Sequence, residues 1–192
     1  LYHKTEAAHT DLIPKVYEGG FKVWECTIDL IKVLSNRLEL IKDKCILDLG
    51  CGAGLVGLYC AEHKAREVHF HDYNAPVIRH LTAPNCKLLR NTDVKIRFFC
   101  GDWALFQAPT KYDMIVTSET IYRQENYKSL LDLFTHCLKP GGLVIVAAKA
   151  VYFGVGGSVH EFQEFCKQSL WNVQTLWKGN ADVPREVFAL QR

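Results

Sequence analysis

The chain has 192 residues, enough to bury a core within one domain. Its 48% hydrophobic and 23% charged residues are ordinary for a globular protein and exclude a disordered or low-complexity chain. A net charge of +2 is too small to point to nucleic acid, and no apolar run reaches the length of a membrane span.

In chain order, residues 1–18 show no periodicity and read as an irregular arm. The chain opens Leu1-Tyr2-His3-Lys4, with no initiator Met and no secretory pattern, so it reads as a fragment of a longer protein. Apolar residues at Val23, Ile28, Ile31 and Leu34 predict an amphipathic helix over Phe21–Leu38. Cys45–Leu49 reads as a strand, Leu55–Glu62 as a helix and Glu67–His71 as a second strand ending at Asp72. Pro76 suits the first turn of a helix over Ala75–Leu81, which Pro84 and Asn85 interrupt. Val94–Cys100 and Tyr112–Thr117 are the next strands. Asn126 is placed to cap a helix reaching Leu138, and Lys139-Pro140-Gly141-Gly142 reads as a turn. A buried strand over Leu143–Ala148, a glycine-rich loop over Phe153–Ser158 and a helix over Val159–Leu170 follow. Val173–Trp177 and Glu186–Leu190 form a final strand pair. Such alternation predicts one α/β domain over 1–192. Its fold is a doubly wound, mainly parallel seven-stranded sheet with an antiparallel terminal strand.

The most informative run is Asp48-Leu49-Gly50-Cys51-Gly52-Ala53-Gly54, with Gly57 beyond it. It is a strand, a glycine loop and a helix start, the place where open α/β sheets bind nucleotide-like ligands. Gly52–Gly57 matches the dinucleotide pattern G-x-G-x-x-G, which alone is weak. Asp48 at the strand end departs from it. The string as a whole resembles the first motif of class I S-adenosylmethionine-dependent methyltransferases. A glycine turn without a ligand is the plain alternative.

Further candidates stand at strand ends. Asp72, about 20 residues after the loop glycines, is placed to accept from ribose hydroxyls, with His71 and Tyr73 beside it; a helix-capping role is the alternative. Gly101-Asp102-Trp103 follows the third strand. Asp102 could accept from an exocyclic amine and Trp103 could cover a ring face, or Trp103 could belong to the core. Glu119 and Tyr122 follow the fourth strand, either as site groups or as a solvated acid and a packed ring. Gly19–Thr27 suits a cofactor lid or an ordinary helix start. The eight cysteines include no C-x-x-C pair, so no metal site is expected and free thiols in a reducing compartment are.

Together EGGFKVWECT, LDLGCGAGLVGL, FHDYN, GDW, TSETIY and YFGVGGSVH resemble the eukaryotic protein-histidine methyltransferases, from about Asp11 onward. That family belongs to the seven-β-strand, class I, Rossmann-like protein methyltransferases, which include many lysine enzymes. The resemblance implies S-adenosyl-L-methionine as cofactor and S-adenosyl-L-homocysteine as product. It implies that Val23, Trp24, Glu25, Cys26 and Thr27 line the methionine end and that Gly50, Gly52 and Gly54 form the loop. His71, Asp72 and Tyr73 would hold ribose and adenine, Gly101, Asp102 and Trp103 would flank adenine, and Ser118 would sit near the methionine part. The implied substrate is a histidine of large-subunit ribosomal protein three, in cytoplasm and nucleus. A monomer with no nucleic acid and no membrane partner is expected, as is an N-terminal extension beyond this chain.

The chemistry needs an unprotonated ring nitrogen, available near pH 7 because imidazole has a pKa of about 6.5. Glu119 is the expected acceptor for the other ring N–H, with Tyr122 and Tyr152 as walls or hydrogen-bond partners. Gly154, Gly156 and Gly157 would let a polypeptide approach the backbone. A lysine methyltransferase remains open, because lysine enzymes carry Asp where Glu119 stands. So does a non-catalytic module that binds the cofactor.

Overall fold

The computed structural model describes residues 13, 16–91, 93–180 and 182–192. Most of the expected arm lies outside them. Strands β1 (Cys45–Leu49), β2 (Glu67–Asp72), β3 (Lys95–Cys100), β4 (Tyr112–Ser118), β5 (Leu138–Lys149), β6 (Asn172–Gly179) and β7 (Arg185–Gln191) form one sheet in the order β3-β2-β1-β4-β5-β7-β6. The pairs from β3 across to β5 are parallel, and β7 runs antiparallel to both β5 and β6. The expected doubly wound sheet is therefore present.

Every residue of β1 is buried, as a central strand covered on both faces requires. Its side chains alternate between two cores. Leu47 and Leu49 pack with helices α4 (Tyr127–Cys137) and α5 (Val159–Gln168). Ile46 packs with helices α1 (Glu25–Ser35) and α2 (Leu55–Glu62). Buried Asp29 of α1 receives Arg185 of β7 at 2.5 Å, which fixes the start of α1 over the sheet edge.

Several boundaries depart from the sequence reading. Helix α1 begins at Glu25, not Phe21, because Trp24 is extended and residues 19–24 turn toward the strand ends. Helix α3 runs unbroken through Pro84, as Ala75–Val77, a wide π-helical turn over Ile78–Thr82, and Ala83–Cys86. A proline inside a regular helix clashes with the preceding turn; the widened turn relieves this. Asn126 makes no side-chain cap, since a 3₁₀ turn over Gln124–Asn126 already leads into α4. Residues 139–142 are not a free turn but bulge out within β5, whose register with β4 jumps from Tyr112↔Leu138 to Met114↔Leu143. Gly141 takes φ +72 there.

Gly57, one turn into α2, lets that helix lie directly on β2. A Cβ added there would meet the Phe70 ring, with Cζ at 2.9 Å, and the Asp48 Oδ2 at 3.0 Å. Both neighbours are buried. Gly57→Ala is expected to lower stability by about 1–3 kcal/mol, the cost of overpacking a filled core. Urea unfolding checks this, and an unchanged midpoint would show that α2 shifts freely on the sheet.

Candidate active site

The loops after β1, β2, β3 and β4 meet at one edge of the sheet and, with residues 18–27, line an open cleft. Its floor is the glycine loop. Gly50 and Gly52 hold φ +66 and +51, and Gly54, which starts α2, holds φ +76; this left-handed region favours glycine. A Cβ on Gly50 would stand 2.7 Å from the Thr120 methyl, and one on Gly52 would stand 3.1 Å from the Gly20 carbonyl oxygen. Bare backbone is therefore a steric requirement of the floor.

Buried carboxylates hold that floor in shape. Asp48 Oδ2 accepts from the Gly57 amide at 2.8 Å. Asp72 Oδ2 accepts from the Gly52 amide at 3.0 Å, and its Oδ1 accepts from the Asn74 amide at 3.0 Å. Burial pushes the Asp48 carboxyl up to about 7, with the Gly57 bond opposing and the Asp72 charge adding. Burial also raises Asp72, against its two backbone bonds. A carboxylate has about four lone-pair sites, so Asp72 keeps capacity toward the cleft.

The π-helical turn of α3 braces the loop from behind. Thr82 Oγ1 donates to the Gly52 carbonyl at 2.7 Å, and Asn85 Nδ2 donates to the Ala53 carbonyl at 2.9 Å. Neither residue stood out in the sequence, because a helix read as ending before Pro84 does not reach the loop.

The strap over the cleft is residues 18–24. The Glu18 amide donates to Asn74 Oδ1 at 3.1 Å, and the Trp24 indole N–H donates to the Gly19 carbonyl at 3.2 Å. The Tyr122 hydroxyl donates to the Glu18 carboxylate, which Arg123 also meets at 3.4 Å. Burial, then the Glu18 carboxylate, raises the Tyr122 phenol.

Glu119 is the unusual group. It takes φ +60, a conformation costing a non-glycine residue about 1–3 kcal/mol. Its amide donates to the Ala147 carbonyl at 2.9 Å. It is 9% exposed, and neither carboxylate oxygen has a hydrogen-bond partner among the described residues. Lys149 Nζ stands 3.9 Å from it and 3.2 Å from Glu25. Its charge helps raise the Cys26 thiol and the Tyr152 phenol, in each case after burial.

Of the candidates read from the sequence, Val23, Trp24, Thr27 and Ser118 line the cleft, with Thr27 and Ser118 hydroxyls 3.3 Å apart. So do Gly50, Gly52, Asp72, Tyr73 and Trp103, and so do Glu119 and Tyr122. Tyr152 stands behind Glu119, its ring 6.3 Å from that of Tyr122. Others lie off the cleft wall. Glu25 points to Lys149, Cys26 is fully buried in the core under α1, and Gly54 packs against Thr82 and Phe70. His71 is buried against Phe106, and burial lowers its imidazole to about 4. The Gly101 amide donates to the Asp72 carbonyl at 3.1 Å, and Asp102 caps the Ala104 amide at 2.9 Å. Gly157 does not present open backbone: a Cβ there would strike the Ile121 carbonyl and stand 2.7 Å from that of Tyr122. Gly19, Gly20 and Lys22 of the expected lid line the cleft too, and Glu18, Cys51, Leu55 and Thr120 do so without having been given a role. All eight cysteines are free thiols.

Two outcomes test this wiring. Asp48 rises from an ordinary 3.8 to about 7, so between those values the folded protein holds a proton that the unfolded chain has shed. Its contribution to stability is complete below about pH 4 and is lost as pH rises through 7. His71 falls from 6.5 to about 4, so its contribution is lost as pH falls through that window, and the two slopes oppose. Asp48→Asn keeps an acceptor for Gly57 and isolates the first. Its stability relative to the parent is expected to improve from pH 4 to 7, by at most about 1.4 kcal/mol per pH unit. A pH-independent difference in urea titrations sinks the assignment. Thr82→Val strands the Gly52 carbonyl and is expected to cost about 1–3 kcal/mol and to speed amide exchange over residues 50–54, whereas Thr82→Ser keeps both near the parent.

Comparison with known proteins places this geometry. The histidine protein methyltransferase 1 homolog of Mus musculus is 42% identical over 207 residues, covering 92% of this chain and 57% of that protein. Its namesake in Dictyostelium discoideum is 42% identical over 94% of this chain and 60% of its own length. The chain thus spans well under two thirds of these relatives. In fold it is similar to the magnesium protoporphyrin IX methyltransferase of Synechocystis, with a TM-score of 0.70 and 13% identity over 86% of this chain and 81% of that one. The family model described as "Lysine methyltransferase" matches residues 15–156, which carry the glycine loop, Asp72, Glu119 and the loop of Tyr152. The chain belongs to that methyltransferase family.

Proposed function

We propose that the cleft binds S-adenosyl-L-methionine and that the protein transfers the methyl group to a ring nitrogen of a histidine in a protein substrate, releasing S-adenosyl-L-homocysteine. The observation that carries this reading is Glu119, a buried, strained carboxylate at the cleft wall across β1 from Asp72, beside Cys26, Tyr152 and Lys149. The names of the 40–42% identical relatives support histidine as the acceptor.

The residues present fit the cofactor. Asp72 keeps lone pairs for ribose hydroxyls, the Gly50–Gly52 backbone admits a ligand without side-chain obstruction, and Trp103 offers a ring face. Thr27 and Ser118 offer hydroxyls at the other end. When bound, the cofactor supplies an electrophilic methyl on a sulfonium. The protein's task is then alignment, which can supply much of the rate. Glu119 accepts from the ring N–H remote from the methyl, which turns the other nitrogen's lone pair toward it and takes up the proton that the ring must lose. Tyr122 and Tyr152 wall the ring. On the same reading the substrate is large-subunit ribosomal protein three, and the enzyme acts as a monomer in cytoplasm and nucleus.

Incubation of the protein with isotopically labelled cofactor and that ribosomal protein, followed by peptide mapping, tests the proposal. A labelled histidine is expected, with a pH profile that rises through about 6.5 and then levels. A labelled lysine would transfer the chain to the lysine reading that the family description suggests, and cofactor binding without transfer would leave a non-catalytic binding module. Glu119→Gln is expected to lower turnover by about 100-fold. Its affinity for S-adenosyl-L-homocysteine should stay near the parent's, and parental turnover would remove Glu119 from the mechanism.

A further inference from the structure

Backbone pairing sets one cation beside Glu119. Ser118, at the end of β4, pairs with Ala147 of β5, and the Glu119 amide donates to the Ala147 carbonyl at 2.9 Å. Lys149 ends β5 two residues further on, so its side chain leaves the same face as that of Ala147. Its ammonium stands 3.9 Å from the Glu119 carboxylate. The Lys149 amide donates to the Tyr152 hydroxyl at 3.2 Å, which ties the strand end to the next group in the site.

The other titratable groups around that carboxylate are neutral or engaged elsewhere. The Cys26 thiol of α1 and the Tyr152 phenol face it, and burial, then its charge, keeps both protonated. Arg185 of β7, opposite Lys149 in the sheet, is held by Asp29 of α1 at 2.5 Å. Tyr122 turns its hydroxyl to Glu18. Lys22 lies 4.5 Å from the Trp24 ring, where Lys149 stands at 5.1 Å. Lys149 is therefore the cation that meets Glu119 among the described residues. It also meets Glu25 at 3.2 Å, but exposure separates the two partners. The Glu25 side chain is 59% exposed, so water screens that contact. The side chain of Glu119 is 6% exposed and that of Lys149 20%, so their attraction acts through little water. A buried carboxylate deprived of such a cation takes up a proton instead.

We propose that Lys149 is a positioning residue for methyl transfer: its ammonium keeps the buried Glu119 ionised, able to receive the proton that the acceptor ring must lose. In the transfer, a ring-nitrogen lone pair forms the new N–C bond as the methyl–sulfur bond breaks. S-adenosyl-L-homocysteine leaves, and the proton on the other ring nitrogen passes to Glu119. A Glu119 that already carries a proton cannot take that one. The inference rests on the reading of Glu119 as the transfer site.

The test follows Glu119 directly. The whole protein, labelled with ¹³C at glutamate carboxyls, is titrated by NMR, and the Glu119 signal is the one lost in Glu119→Gln. In Lys149→Met that signal is expected to titrate at least about one pH unit above the parent, and in Lys149→Arg within about half a unit of it. Glu25→Gln frees the lysine from α1 but leaves it beside Glu119, and is expected not to raise the titration. In methyl transfer at pH 7, Lys149→Met is expected to turn over about tenfold more slowly than the parent, with KM for S-adenosyl-L-methionine within about twofold. That deficit should shrink as pH rises and Glu119 ionises again, and Lys149→Arg should restore turnover. An unmoved Glu119 titration in Lys149→Met overturns the assignment, as does a turnover deficit that is constant with pH. A Glu25→Gln variant that reproduces the Lys149→Met shift overturns it too, since the lysine would then act by tying down α1. Failure of the function itself reads differently: the titration still moves with Lys149, but the parent methylates no histidine, or Glu119→Gln turns over like the parent.

Discussion

The site depends on one steric constraint: the chain leaving β1 must pass between Thr120 and Gly20 with no side chain at Gly50 or Gly52. That passage forces left-handed backbone at three glycines within five residues. Such a conformation is entropically expensive to fix, because glycine gives up the most freedom on folding. It is held by bonds from elsewhere in the fold: Asp72 on one side, and Thr82 and Asn85 on the other. The floor of the cleft is thus shaped by β2 and α3 as much as by its own sequence. Gly57 adds the last condition, since α2 can begin under the loop only if the helix lies directly on Phe70.

Sheet order explains why the cleft is where it is. β1 sends its chain into α2, which packs with α1 on one face, whereas the chain after β4 leads to α4 on the other. Adjacent parallel strands whose connections leave in opposite directions open a crevice at their carboxyl ends. Asp72 follows from β2 and Glu119 from β4, so the two carboxylates flank the crevice by topology. The strap closes it through Glu18, which reaches Tyr122 and Arg123 across the opening.

Much of this was legible in the residues. β1 and α2 lie where the run from Cys45 to Glu62 put them, because a buried strand and a glycine turn each impose a strict local pattern. Asp72, Ser118 and Glu119 were findable because strand ends mark the ligand edge. What was not legible depends on contacts distant in sequence. Pro84 read as a helix breaker, yet a wide turn before it keeps α3 intact and brings Thr82 and Asn85 to the loop. His71 and Cys26 were placed beside the cofactor by neighbourhood in the chain; strand and helix periodicity instead turn them into the core. Gly157 looked like open backbone, and only the structure shows Tyr122 pressed against it.

The surroundings of Glu119 bear on which acceptor fits. An unpaired carboxylate would attract a cationic lysine side chain, and the family description points that way. Here an ammonium is already present: Lys149 stands 3.9 Å from Glu119, held in turn by Glu25 at 3.2 Å. Two carboxylates outnumber that one ammonium, so charge alone would admit a cation as well as a neutral ring. A neutral imidazole N–H needs only an acceptor and adds no charge. It can also lose its proton to Glu119 once alkylated, whereas a lysine must shed a proton from about pKa 10.4 before it can react. The proton requirement of the acceptor, and not the charge around Glu119, thus favours the guest that is already neutral near pH 7, which is the state that histidine offers.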